Sequence, residues 1–269
     1  MSVEEYHRQP IQSGWKCEYY DGKMWRQPRH SVAIVRCEIV PRPVTVPENF
    51  CLRPATPDDT AKLIPAFYDA FRDSVDYWGY RQAAVRKSAR DSVLSCFAGK
   101  RGAFQPASFV AVAPTGRSIA GAAMVVTGVD GPNLDLLFVR PRWQKRGLAT
   151  ALVQSAMNRL HTLGEAILDS GYVVANAESA AWHKRFGFWE LPDLTRAKEE
   201  FYCAHWELRR RRDEGTLTPK ECREMATRAA HWKREVVTLE AIAERDGYEA
   251  VSQILRRGRA GKQSREAAG

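Results

Sequence analysis

The stretch Leu136-Leu-Phe-Val-Arg-Pro-Arg-Trp-Gln-Lys-Arg-Gly-Leu-Ala-Thr150 decides how this chain is read. Its apolar strand, Leu134 to Val139, stops at Pro141, and a short basic turn opens a helix at about Gly147. Leu148, Leu152, Ala156, Leu160 and Leu163 then recur at near-helical spacing on one face. A helix beginning there offers unpaired backbone N–H groups and the positive end of its dipole. Such an end suits an anion, a pyrophosphate in particular. Gly147 lets a ligand approach the backbone, small Ala149 and Thr150 keep the next turn clear, and Lys145 and Arg146 add charge at the mouth.

Two further segments have a matching character. Asn176-Ala-Glu-Ser-Ala-Ala-Trp-His-Lys-Arg-Phe-Gly-Phe188 reads as a short helix closed by Gly187, a good left-handed stop, with Phe188 opening a strand. Upstream, Cys51-Leu-Arg-Pro-Ala-Thr-Pro-Asp-Asp59 reads as a strand followed by a helix start, with Pro57 early in the helix and Asp58 and Asp59 at its positive end.

Gln144-x-x-Gly147-x-Ala149 after Leu-Phe-Val-x-Pro resembles the acyl-CoA motif of the GNAT superfamily of N-acyltransferases, Q/R-x-x-G-x-G/A. The segment from Asn176 to Phe188 resembles the closing motif of that family, and residues 51–59 resemble its first strand and helix start. The resemblance implies an α/β (α+β) fold: a mixed, mostly antiparallel central sheet flanked by helices. Here that fold would carry a short β-rich N-terminal extension and a helical C-terminal tail. It also implies acetyl-CoA as co-substrate and no metal. The pantetheine arm would lie along backbone groups near Leu137, Phe138 and Val139, where two strands diverge. The pyrophosphate would rest on the backbone N–H groups of Lys145, Arg146, Gly147, Leu148, Ala149 and Thr150, with Gln144 of the motif also a cofactor-binding residue and Asn176 orienting the pantetheine or the closing helix.

Acyl transfer to an amine needs a neutral nucleophile and a proton for the departing thiolate. The family commonly places a Tyr seven residues after the Asn; here that position is His183. A histidine donates a proton near neutral pH, so His183 is a candidate general acid, set against a role in packing or hydrogen bonding alone. Some members carry a Glu five residues before the Asn, but Gly171 stands there. Strand alternation would put Asp135 on one face with Leu137 and Val139, making it a candidate base, with Asp169 a weaker one. Acceptor specificity is expected from the first two helices and their connection, including Asp73, Asp76, Tyr77, Trp78 and Tyr80, whose acidic and aromatic character suits a cationic or amine-bearing acceptor.

The 269 residues are 44% hydrophobic and 27% charged, an ordinary globular balance. No apolar run is long enough to span a bilayer, and Met-Ser-Val-Glu-Glu-Tyr-His lacks a signal-peptide core, so a cytoplasmic protein without a membrane partner is expected. The six cysteines are dispersed without a C-x-x-C pair and read as reduced, structural thiols; Cys17, His30 and Cys37 fit no standard zinc spacing. The net charge of +9 suits a polyanionic ligand such as CoA, or nucleic acid as the less favoured partner. The run Arg209–Arg212 reads as a solvated edge past a final strand.

Residues 1–48 read as a β-rich extension and Pro-rich linker, with a hairpin at the Asp21-Gly22 turn, alternation over His30–Val40, and a stiff stretch through Pro41, Pro43 and Pro47. Tyr19, Tyr20 and Trp25 there would cover the core domain or a second copy in a homodimer. Residues 49–210 read as the transferase domain, ending in a last strand, Phe201 to Leu208. Residues 211–269 read as a helical basic tail, with a capped start at Thr218-Pro219-Lys220-Glu221, another helix around Leu239, Ile242 and Ala243, and one from Tyr248 to Leu255. The leading expectation is an N-acetyltransferase that passes acetyl from acetyl-CoA to a primary amine, on a small molecule or peptide, by direct attack in a ternary complex. A non-catalytic CoA-binding scaffold, and an acetyltransferase acting on RNA or charged tRNA, are the alternatives.

Overall fold

The structure, a computed structural model, describes residues 1–191 and 193–247. In chain order its elements are α1 (Val3–His7), β1 (Trp15–Tyr20), β2 (Lys23–Pro28), β3 (Val32–Glu38), β4 (Cys51–Pro54), α2 (Thr60–Phe71), α3 (Gln82–Phe97), β5 (Phe109–Val112), β6 (Ile119–Thr127) and β7 (Pro132–Val139). There follow α4 (Leu148–Thr162), β8 (Ile167–Val173), α5 (Ala177–Phe186), β9 (Trp189–Glu190), α6 (Leu194–Asp213) and α7 (Pro219–Asp246). The chain divides into two compact units: Ile34–Tyr172 with Asn176–Trp189, and Met1–Ala33 with Val173–Ala175 and the chain from Glu190 onward.

The first of these is built on a seven-stranded sheet in the order β4-β5-β6-β7-β8-β3-β9. The pairs β4–β5, β5–β6 and β6–β7 are antiparallel and β7–β8 is parallel. One face packs on α4, whose Leu148, Leu152, Ala156 and Leu160 are buried against Val125, Leu134 and Leu168. The other face packs on α2 and α3 through Leu63, Phe67, Ala89 and Val93, against Val110, Met124, Leu136 and Phe138. The mixed sheet between helices is the architecture expected from the sequence.

β3 lies inside this sheet and is not confined to the extension. Val35, Arg36 and Cys37 are consecutive buried residues, which a strand achieves only with both faces covered. Arg36, 2% exposed, is held by Asp169 at 2.6 and 2.9 Å and by Asp130 at 3.3 Å. Asp169 is therefore an ion-pair partner in the sheet. The Pro-rich segment after β3 is tied to α4: Gln154 donates to the Val40 carbonyl, and Asn158 brackets the backbone of Arg42.

In the other unit, β1 and β2 form an antiparallel hairpin about Asp21-Gly22, as the sequence implies. Residues Phe201 to Leu208, expected as a last strand, lie inside α6. Leu194, Ala197, Glu200, Cys203 and Ala204 are buried at helical intervals, and Asp193 caps the helix by accepting from the Arg196 N–H at 2.7 Å. Local β propensity in Phe-Tyr-Cys yields to that periodicity. Arg209–Arg212 is consequently the last turn of α6, where cations complement the dipole, and Arg210 pairs with Glu207 and Glu214. α7 begins at the Thr218 capping box and runs unbroken through Leu239, Ile242 and Ala243, packing on α6. Arg196, 8% exposed, joins Glu190, Glu200 and Ser13 in a buried polar knot. The helix expected over Tyr248–Leu255 lies outside the described residues.

Candidate active site

β7 and β8 are paired only at Asn133–Asp169 and Leu134–Ser170, and past that point they separate. Backbone pairing in an antiparallel ladder alternates, and Arg140 N–H donates to Ala120 of the β6 side. Phe138, two residues earlier, shares that direction, so Leu137 and Val139 turn their backbone groups into the gap left by β8. The Val139 carbonyl accepts from Gln144 Nε2 at 3.0 Å. Gln144 thereby closes the turn onto the strand it follows.

The turn runs through Lys145, at φ +60°, and Gly147, at φ +84°, which caps α4. Ala151 N–H is the first to find a helical acceptor, the Gly147 carbonyl, so the N–H groups of Leu148, Ala149 and Thr150 precede the helical ladder. A side chain on Gly147 would meet nothing within 4 Å, so glycine is needed there for its positive φ. A groove of about 1010 Å³ opens at this end of α4. Of the residues singled out from the sequence, Leu137, Phe138, Val139, Gln144, Lys145, Gly147, Leu148, Ala149 and Thr150 line it, and Arg146 does not. Instead Arg146 stacks on the Trp143 ring, 5.1 Å from its centre. Among the described residues no group of three or more His, Cys, Asp or Glu side chains is placed to hold a metal ion.

Several lining residues carried no sequence signal. Arg42, Pro43 and Thr45 form one wall because Gln154 and Asn158 strap that segment along α4. Trp182, Arg185 and Phe186 of α5 form another wall. These are long-range pairings, which no local pattern announces.

Asn176 does not line the groove. Its Oδ1 caps α5 by accepting from Ser179 N–H at 3.0 Å, and its Nδ2 donates to Asp76 at 2.7 Å. His183 is 4% exposed and boxed by the rings of Tyr172, Trp182 and Phe188. Its Nδ1 lies 2.8 Å from the Ser179 carbonyl, which can only accept, so Nδ1 carries the proton. Nε2 is then an acceptor 3.2 Å from Ser170 Oγ, whose single proton is shared between it and the Leu134 carbonyl, and burial holds the imidazole pKa below its usual 6.5. Ser170 Oγ also lies 3.3 Å from the Leu134 carbonyl, at the last paired position before the strands separate. His183 thus sits behind the point of divergence and outside the groove.

Asp135 departs from the expected strand geometry. Leu134 is opposite Val125 and Leu136 opposite Met124, so Asp135 is an extra residue, a bulge in β7. The bulge breaks the alternation that would align Asp135 with Leu137 and Val139. Leu134 and Val139 pack toward α4, while Leu136 and Phe138 pack toward α2 and α3. The carboxylate is held by Arg101 in a fork, at 2.6 and 2.8 Å. The buried thiols of Cys96 and Cys203 are pushed up to about 12 and about 11, so neither is a thiolate near neutral pH.

The parallel pair β7–β8 thus splays beside a glycine-capped helix whose first three N–H groups precede the helical ladder. Residues 83–208 match the family described as Acetyltransferase (GNAT) domain, so that part of the chain is similar to this family. It is similar to a GCN5-related N-acetyltransferase from Sphaerobacter thermophilus, at 18% identity over 59% of this chain and 48% of that one, with a TM-score of 0.46. It is also similar to the PaiA N-acetyltransferase of Thermoplasma acidophilum in complex with coenzyme A (12%; 51% and 87%; 0.41). A third is a GNAT family acetyltransferase from Brucella melitensis in complex with acetyl-CoA (21%; 43% and 70%; 0.33). The match spans about half of the Sphaerobacter chain. No curated protein matches this sequence. Among the described residues no helix is long and apolar enough to cross a membrane.

Proposed function

We propose that this protein is an acetyl-CoA-dependent N-acetyltransferase that acetylates a primary amine by direct attack in a ternary complex. The observation that carries this reading is the continuity of one groove from the unpaired edge of β7 to the first turn of α4. The chemistry of the groove fits the co-substrate. The Lys145–Thr150 backbone and the helix dipole suit a pyrophosphate, and Arg42, Lys145 and Arg185 on its walls outnumber Glu178, which pairs with Lys145 at 3.8 Å. The backbone groups of Leu137 and the N–H of Val139 face an otherwise empty edge and suit the amides of a pantetheine arm and the carbonyl of a thioester. Acetyl-CoA, when bound, would supply that activated carbonyl.

Attack by the amine nitrogen forms the new C–N bond as the C–S bond breaks, with the ammonium proton going to solvent and a proton returning to the thiolate. His183 fits the packing role in this scheme better than the acid role. A neutral imidazole whose only proton is held by the Ser179 carbonyl has none to give to sulfur. We assign it instead to fixing Ser170, and through it the place where β7 and β8 part. Asp135, locked to Arg101, supports the bulge.

Incubating the protein with acetyl-CoA and a panel of primary amines, and reading free thiol, tests this function. Amine-dependent thiol release is expected. CoA binding without release from any amine would favour a non-catalytic binding protein.

A further inference from the structure

The Ile34–Tyr172 unit, with Asn176–Trp189, contains six carboxylates that are buried or half-buried, and five of them are paired with arginine. Asp59 faces Arg53, Asp69 faces Arg140, Asp130 and Asp169 share Arg36, and Asp135 faces Arg101. Asp76 is the sixth, and among the described residues it has no cationic partner. Its Oδ2 accepts from Asn176 Nδ2 and from Ser74 Oγ, while Oδ1 has no hydrogen-bond partner among the described residues. A carboxylate held in place by neutral donors, with one oxygen open and no countercharge, is a site for a cation.

The position of Asp76 connects this cation site to the groove. The turn that carries it, residues 75–77, joins α2 to α3. Tyr77 packs on Phe67 and Phe71, and both of those pack on Phe138 of β7. Asn176, the residue that holds Asp76, caps α5 just after β8 ends. The turn is therefore anchored to both sides of the gap between β7 and β8, over the face opposite α4. Trp78 and Tyr80 follow it in sequence, 55% and 53% exposed, with Tyr80 packed edge-on to Tyr77, and aromatic rings in a turn that carries a carboxylate favour an organic cation over a hydrated metal ion.

We propose that Asp76 anchors the acceptor through a positive charge that is not the reacting amine. The attacking nitrogen must be neutral, and a carboxylate bound to it would hold it as an ammonium. The charge that Asp76 holds is then a second one, so the acceptor class is a primary amine bearing another cationic group a short chain away. This inference rests on the acetyltransferase reading above. It makes Asp76 a specificity-determining residue that touches substrate, with Asn176 as its positioning residue.

The test compares thiol release from acetyl-CoA with 1,4-diaminobutane, butylamine and 4-aminobutyrate, which differ in charge at similar length. CoA affinity and melting temperature are measured in parallel on the full chain. The diamine is expected to have the highest kcat/KM and the zwitterion the lowest. Asp76→Asn keeps the contacts to Asn176 and Ser74 and should lower kcat/KM for the diamine about ten- to a hundredfold, the worth of one charge-assisted hydrogen bond, chiefly through KM. CoA affinity should hold within about twofold, and Asp76→Glu should retain part of the preference. Equal rates for the diamine and butylamine, or a preference intact in Asp76→Asn, would overturn the assignment. So would CoA binding without release from any of the three amines, which leaves the groove standing. Failure of acetyl-CoA to bind removes the underlying reading as well.

Discussion

Gly147 and His183 show how single residues set this site. At φ +84° Gly147 occupies backbone space that a side chain enters only with strain. Gly147→Ala should cost about 1 kcal/mol in chemical denaturation, and more CoA affinity than stability, because the turn aims the first N–H groups of α4. His183 makes a pH prediction. Its folded pKa lies below the usual 6.5, so the neutral ring stabilises the fold fully above that value. As pH falls below about 6.5 the unfolded chain gains a proton that the folded chain resists, and stability drops. His183→Phe keeps an aromatic ring among Tyr172, Trp182 and Phe188, and should show a flatter melting-temperature profile between pH 6.5 and 5 than the wild type. Parallel profiles would show that another group governs the acid limb.

At the scale of elements, β7 and α4 are legible in the sequence because each signal is local. An apolar run stops at a proline, a glycine caps, and leucines recur at helical spacing. The hairpin at Asp21-Gly22 and the capping box at Thr218 are readable for the same reason. The β7 bulge is not, since Asp135 adds one residue with no Gly or Pro to mark it, and that single insertion redirects a candidate base into an ion pair. α6 hides behind β-prone residues; its period emerges only once the partners of Ala197, Glu200 and Cys203 are known. The membership of β3 in the sheet depends on Arg36 meeting Asp130 and Asp169, which are distant in sequence. Asp169→Ala should therefore destabilise the protein by about 3–5 kcal/mol in urea unfolding, since it strips the main partner from a buried guanidinium. A loss under 1 kcal/mol would contradict that role.

For the whole molecule, the 41 Lys and Arg residues are distributed along the chain, and many are paired locally with the 32 carboxylates, leaving a net charge of +9. The groove itself keeps Arg42 and Arg185 beside a helix end, with Lys145 paired to Glu178 at 3.8 Å, a modest cationic excess that suits a compact polyanion. CoA affinity should accordingly fall with ionic strength, by less than the steep losses of proteins that neutralise six or more phosphates on a duplex. Binding to an RNA duplex with a log–log salt slope of several units would instead revive the nucleic-acid reading. The central claim, that the gap between β7 and β8 and the first turn of α4 hold CoA, is tested most directly by calorimetric titration of CoA into the full chain. The structure predicts one site per chain with a Kd on the order of micromolar. No saturable binding at millimolar CoA, with the protein folded, would contradict it.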